Sequence, residues 1–173
     1  MIPLTQTSYV VLGLLAQAGE ATPYDLKQIV AATIGNFFSI PHSQLYAEPA
    51  RLAKAGYLTE RRERAGRRRK HYGVTPKGRK ALEEWLSTPT DELYELRDPG
   101  LLKLAFGSDP RELARTQLES HERRLEELKG MARMLQVAGA SESARLVAEA
   151  GIGHQKEYIR FWSRVARAGQ AGP

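Results

Sequence analysis

Ten consecutive residues, Arg61 to Lys70, carry seven basic side chains and a single acid, Glu63, for a net charge of +6. A segment that repels itself this strongly cannot enter a core, and it gains little from folding unless it meets a polyanion. Its flanks dictate its shape. Tyr57, Leu58 and Thr59 before it are strand formers, Ala65-Gly66 can turn, and Tyr72 and Val74 after it alternate with His71 and Gly73 as a half-buried strand does. The pattern predicts a two-stranded ribbon with the charge riding on it.

Three helices are predicted ahead of the ribbon. Thr5 to Ala18 is apolar nearly all round in its middle, and Gly19 is placed to end it in a left-handed conformation. Thr22-Pro23-Tyr24-Asp25 supplies a cap, a proline at the first helical position and an acid in the first turn; Leu26, Ile29, Val30 and Thr33 then continue one face to about Ile34. After a connector from Gly35 to Pro41, a third helix is expected from His42 to Ala55, ended by Gly56, with Leu45, Tyr46, Pro49 and Leu52 on its apolar side. An interior proline costs about 3 kcal/mol, which predicts a kink or a 3₁₀ turn at Pro49, relieved if the regular helix begins close to it. Beyond the ribbon, Thr75-Pro76 repeats the cap-and-proline signal and opens a helix carrying Ala81, Leu82, Trp85 and Leu86. Tyr46, Tyr72 and Trp85 could stack on a nucleic acid, but at these spacings they are assigned to the core.

Charge divides the chain unevenly. Residues 1–88 hold 13 basic and 7 acidic side chains and residues 89–173 hold 13 of each, so the first part has the whole +6 and the second is neutral. Two modules, 1–88 and 89–173, are the simplest account. In the second, Thr88 to Asp98 reads as a connector and Leu101 to Phe106 as a short helix, and Asp109-Pro110-Arg111-Glu112 opens a long one. Ala114, Leu118, His121, Leu125, Leu128, Ala132 and Leu135 recur there at coiled-coil intervals, and such a seam needs a partner. Gly139-Ala140 breaks the helix, Ser141 can cap the next, and Val147, Gly151, His154, Tyr158, Phe161 and Val165 form a second seam. Two long antiparallel helices after a basic head suggest dimerisation, with Leu118, His121, Leu125, Leu128, Leu135, Tyr158, Phe161 and Val165 as contact residues. The terminal Gly-Gln-Ala-Gly-Pro is expected to fray.

Other classes of function find little support. The chain has no cysteine, no Lys or Arg precedes Lys27 as a secretory signal requires, and no apolar run approaches the ~20 residues that cross a bilayer, so a cytoplasmic protein is expected. There is no glycine-rich phosphate loop and no Gly-x-Ser-x-Gly elbow, and His42, His71, His121 and His154 are too scattered to ligate a metal. No enzyme activity, metal or cofactor is expected.

Three helices, a basic ribbon and a further helix describe a winged helix-turn-helix, in which helix three enters the major groove of DNA. The predicted class is therefore mainly α with a small β-hairpin. His42-Ser43-Gln44-Leu45-Tyr46, Arg51-Leu52, Gly56-Tyr57-Leu58, Gly66-Arg67-Arg68-Arg69-Lys70-His71-Tyr72 and Val74-Thr75-Pro76-Lys77-Gly78, with Tyr24-Asp25-Leu26 ahead of them, resemble the DNA-binding domain of the PadR family of bacterial transcriptional regulators. The likeness covers residues 5–87 well. The tract Leu96-Arg97-Asp98-Pro99 to Phe106-Gly107 looks like the start of the helical domain of longer members; Pro49 departs from the family's leucine.

The resemblance implies a homodimeric regulator of double-stranded DNA with a roughly palindromic operator, generally a repressor, released when a small ligand alters the spacing of its two heads. It places His42, Ser43, Gln44 and Ala47 toward the major groove, with Gln44 suited to an adenine edge or merely solvated, and Ser43 alternatively a helix cap. Arg51 would reach a phosphate or pair with Glu48. Arg64, Arg67, Arg68, Arg69 and Lys70 would grip phosphates or the minor groove. A possible pocket for a small apolar or aromatic ligand is lined by Met131, Met134, Tyr158, Phe161 and Trp162, whose bland reading is dimer core; His121 and His154 could set register or respond to pH. The rival reading is a winged helix that binds RNA or assembles with proteins without recognising an operator.

Overall fold

The structure, a computed structural model, describes residues 2–64 and 68–168, apart from the Asn36 side chain. The expected Ala65-Gly66 turn, Arg67 and the frayed terminus lie outside these residues. The chain folds as two compact units, Met1–Glu92 and Leu93–Pro173.

In the first unit the elements run α1 (Gln6–Ala18), α2 (Pro23–Ala32), a single 3₁₀ turn (Ile34–Asn36), α3 (His42–Lys54), β1 (Leu58–Arg62), β2 (Lys70–Val74) and α4 (Pro76–Ser87). Side chains that precede each turn set most of the starts. Thr5 and Thr22 both close reciprocal capping boxes, with Ser8 and Asp25, and the Thr75 hydroxyl accepts the Gly78 amide. Helix α1 is the centre of the unit: Val11, Leu12, Leu14 and Leu15 are buried and meet Leu26 and Val30 of α2, Leu45 and Leu52 of α3, Tyr57, Leu58 and Tyr72 of the ribbon, and Leu82 of α4.

Gly19 ends α1 at φ +81 and ψ −144, so the expected positive φ is present but not the left-handed helical conformation. Helix α3 is continuous through Pro49, whose side chain is fully buried, and it starts seven residues ahead of the proline rather than beside it. The expected 3₁₀ turn at Pro49 is absent. Pro49 lacks the N–H that would bond the Leu45 carbonyl, and its ring fills the core instead.

The ribbon pairs antiparallel with Leu58 opposite Val74 and Arg62 opposite Lys70. Ala21, in the α1–α2 connector, adds one bridge to its inner edge, exchanging both backbone hydrogen bonds with Tyr72 at 2.9 and 3.1 Å. The base of the ribbon is thereby fixed on two sides.

In the second unit α5 (Pro99–Ala105) is followed by α6 (Pro110–Val137) and α7 (Glu142–Ala168). Asp98 caps α5 and Asp109 caps α6, while Ala138 and Gly139, the latter at φ +64, close α6 ahead of a tight reversal. The α6 seam faces α7 of the same chain: Leu128 packs on Gly151, and His121 Nδ1 lies 2.7 Å from Gln155 Oε1. The α7 face that meets it comprises Ala148, Gly151, Gln155, Tyr158 and Trp162, with Ala148 and Trp162 buried. Val147 and His154, expected on the seam, are exposed.

Candidate nucleic-acid interface

The cations of the ribbon fall into two kinds. Arg61 is paired with Glu20 at 2.8 Å, and Lys70 with Glu60 at 2.8 Å. Glu63, the lone acid of the basic run, has an internal role: its carboxylate accepts the Arg69 amide at 3.2 Å and lies 3.1 Å from His71 Nε2. These contacts hold its carboxyl below the usual glutamate range, His71 first and the Arg69 amide second. By contrast the guanidinium groups of Arg62, Arg64, Arg68 and Arg69 make no ion pair among the described residues. Arg64, Arg68 and Arg69 are exposed, and Arg68 stands at φ +52, a left-handed conformation that costs a non-glycine residue about 1 kcal/mol or more.

The outer side of α3 presents His42, Ser43, Gln44 and Ala47, all exposed. Ser43 is not a cap: Pro41 holds the N-cap position, no side chain bonds there, and the Gln44 amide donates to the Pro41 carbonyl at 2.9 Å. Gln44 is anchored rather than loose, because Thr7 Oγ1 of α1 donates to its Oε1 at 2.9 Å. That leaves the Gln44 NH₂ to donate and the second lone pair of Oε1 to accept, so the side chain is steadied while keeping the two-way capacity an adenine edge asks for.

Arg51 is engaged internally. It pairs with Glu48 at 2.6 Å, and donates to Ser8 Oγ at 3.0 Å and to the Pro3 carbonyl at 3.1 Å. The fully buried Ser8 hydroxyl in turn donates to Glu48 at 2.6 Å, so this network bolts α3 to α1. Hydrogen bonds from Arg51, and then from Ser8, hold the Glu48 carboxyl below its ordinary value near 4.5 against the opposing effect of burial. A depressed folded-state pKa means stability that is present in full above the unfolded value and is lost as pH falls through the folded one. Glu48→Gln is therefore expected to give a shallower loss of stability below pH 4.5 than the parent, measured by denaturant unfolding across that range; parallel curves would show that the network carries no such linkage.

Two aromatic assignments need correcting. Tyr46 is 50% exposed, and Trp85 is 45% exposed with its ring stacked on Tyr9 at 4.8 Å. Tyr72 alone of the three is core, and burial, with the Glu60 carboxylate bonded to its hydroxyl, raises its pKa to about 12.

In the second unit the candidate ligand lining does not assemble within one chain. Helices α6 and α7 run antiparallel, with Leu128 on Gly151 and His121 against Tyr158 at 4.8 Å between rings. This places Met131 and Met134 toward the reversal, and Tyr158, Phe161 and Trp162 roughly 15–25 Å away at the other end. The Tyr158 ring lies between those of His121 and His154, at 4.8 and 4.6 Å between centroids and tilted by 48° and 32°. Its hydroxyl and the Trp162 indole N–H are buried without a hydrogen-bond partner of good geometry, and burial, together with the nearby Asp98 carboxylate, lifts the Tyr158 pKa to about 12. No cluster of His, Asp or Glu suited to a metal occurs among the described residues, and no helix there is long and apolar enough to cross a membrane.

Sequence reasoning missed Glu63, Thr7 and Ser8. Glu63 had a signal, as the one acid inside a basic run; the two α1 hydroxyls look like ordinary helix-start residues.

A three-helix core with a basic two-stranded wing beside an exposed third-helix face defines a winged-helix DNA-binding regulator. Residues 11–84 match the family described as the Transcriptional regulator PadR-like family. The Negative transcriptional regulator PadR of Bacillus subtilis (strain 168) is 31% identical over 129 residues, 70% of each chain. The crystal structure of Bacillus subtilis PadR in complex with operator DNA is similar with a TM-score of 0.83 at 26% identity, over 96% of this chain and 99% of that one. That of the same protein in complex with p-coumaric acid is similar with a TM-score of 0.75 at 25% identity, over 98% and 100%. The chain belongs to the PadR-like family and is a transcriptional regulator that binds DNA.

Proposed function

We propose that the protein is a cytoplasmic repressor that binds a roughly palindromic operator as a homodimer, carries out no catalysis, and is released by a small aromatic ligand. The observation that carries this reading is the set of exposed arginines without ion pairs among the described residues, Arg62, Arg64, Arg68 and Arg69, on the same unit as the exposed face His42, Ser43, Gln44 and Ala47. A merely solvated ribbon would have its charge balanced, as Arg61 has by Glu20 and Lys70 by Glu60; these four do not. Arg67 belongs with them by sequence, whereas Arg51 is reserved for holding α3.

Several features support the dimer. Leu118, Leu125, Leu135, Phe161 and Val165 stay only half-buried in one chain, and Leu102, Phe106 and Val137 are exposed, an apolar excess that a second copy would cover. Repression accords with the negative regulator the chain resembles, and an aromatic ligand with the p-coumaric acid complex of the Bacillus subtilis protein. The buried Trp162 indole N–H, without a partner among the described residues, and the Tyr158 hydroxyl beside Asp98 supply hydrogen-bond donors for such a ligand.

Selection of bound duplexes from a random pool, with sedimentation of the protein alone and on the selected DNA, tests this. The expected result is a two-part consensus bound by two chains. A preference for single-stranded RNA, or one chain per site, would overturn it.

A further inference from the structure

Tyr24 and Tyr46 have no place in the core and lie outside the interface residues already assigned. Tyr24, in the first turn of α2, is 57% exposed and Tyr46, on α3, is 50% exposed. Both line one open groove of about 630 Å³ between α2, α3 and the wing, together with Ala50 and Tyr72, and Arg69 and Lys70 lie on its wing side. In a winged helix on duplex DNA, helix three occupies the major groove and the wing lies along the backbone or in the minor groove. A single sugar-phosphate strand separates those two grooves, so it has to cross the space between α3 and the wing.

The groove has the chemistry for that strand. Phenol rings offer flat apolar surface to a deoxyribose, and their hydroxyls donate to phosphate oxygens. Arg69 brings a guanidinium with no ion pair among the described residues, while the charge of Lys70 is partly offset by Glu60. An apolar ligand would meet two cations and two hydroxyls here. We propose that this groove seats one sugar-phosphate segment of the operator, clamped by the hydroxyls of Tyr24 and Tyr46 with Arg69 across from them. The assignment rests on the operator-binding reading above.

Phosphate ethylation interference on the selected operator, with the full chain and its Tyr24→Phe, Tyr46→Phe and doubly substituted forms, tests it. Both side chains are about half exposed, so the phenylalanine variants are expected to fold. Each should weaken operator binding about fivefold, the worth of one ordinary hydrogen bond, and abolish interference at the same one or two phosphates of each half-site. Wild-type affinity with every interference retained would overturn the clamp and leave operator binding standing. If the parent protein gives no interference on any duplex, operator binding fails and the clamp falls with it. Inorganic phosphate that shifts the Tyr24 and Tyr46 resonances of the DNA-free protein, with the interference pattern of the variants unchanged, would mark a small-anion site and also overturn it.

Discussion

Replacing Arg64, Arg68 and Arg69 together by alanine is expected to weaken binding to every duplex alike and to flatten its dependence on salt. A dimer that places two wings and two α3 helices on one duplex neutralises about eight phosphates, which gives a logarithmic salt slope near −7. Six of the cations disappear in the variant dimer; if half of them contact phosphate, the slope falls to about −4. Arg61→Ala serves as the contrast. Its guanidinium is already paired with Glu20, so that substitution should leave the slope within about one unit of the parent. Binding titrations over a salt series separate these outcomes, and an unchanged slope in the triple variant would remove the wing from the interface. Gln44→Ala should behave differently again, reducing discrimination between sequences more than affinity for bulk DNA, because its side chain is exposed on α3 and steadied there by Thr7.

The second large effect is on stability. Gly78 lies in the first turn of α4, where an added Cβ would overlap the Tyr57 carbonyl oxygen and stand 3.0 Å from Val74 Cγ1 and 3.1 Å from Leu12 Cδ2. That carbonyl is already the acceptor for both the Thr75 amide, at 3.1 Å, and the Thr75 hydroxyl, at 3.0 Å, which tie the start of the wing to the cap of α4. The backbone cannot yield without breaking this tie. Gly78→Ala is therefore expected to cost about 3 kcal/mol, the upper part of the range for overpacking a core, and to lower the melting temperature by roughly 10 °C. Calorimetry reads this directly, and a midpoint within about 2 °C of the parent would mean that α4 can shift away at little cost. The glycine of the Thr75-Pro76-Lys77-Gly78 motif thus owes its place to close approach rather than to an unusual φ.

Much of the first unit was legible because its signals are local. Thr5, Thr22 and Thr75 bond the amides of their own first turns, and strand alternation around Arg61 to Lys70 depends on neighbours alone. Tyr46 and Trp85 were misread for a geometric reason. Helical period put them on the apolar side, but α1 is buried nearly all round, and the other elements touch it with only a narrow stripe each. Pro49 was misread because cost was weighed without the benefit of its buried ring.

The second unit shows how a repeat can point one residue astray. The register Val147, Gly151, His154, Tyr158, Phe161, Val165 and the register Ala148, Gly151, Gln155, Tyr158, Trp162 share Gly151 and Tyr158 and differ by one position elsewhere. Apolar weight at Val147 and Val165 favours the first, whereas the hairpin uses the second, because Ala148 and Gly151 let the helices approach and Trp162 fills the far end. Met131 and Met134 were grouped with the aromatic residues by composition, and antiparallel pairing separates them.

The bridge between Ala21 and Tyr72 has a consequence for how such regulators diverge. It pins the hairpin to the scaffold, while the side chains of Arg64, Arg68 and Arg69 stand exposed toward its outer end without ion pairs among the described residues. Descendants of this chain can accordingly retune how tightly they hold any duplex through a few surface codons, while the fold beneath keeps its thermodynamic foundation.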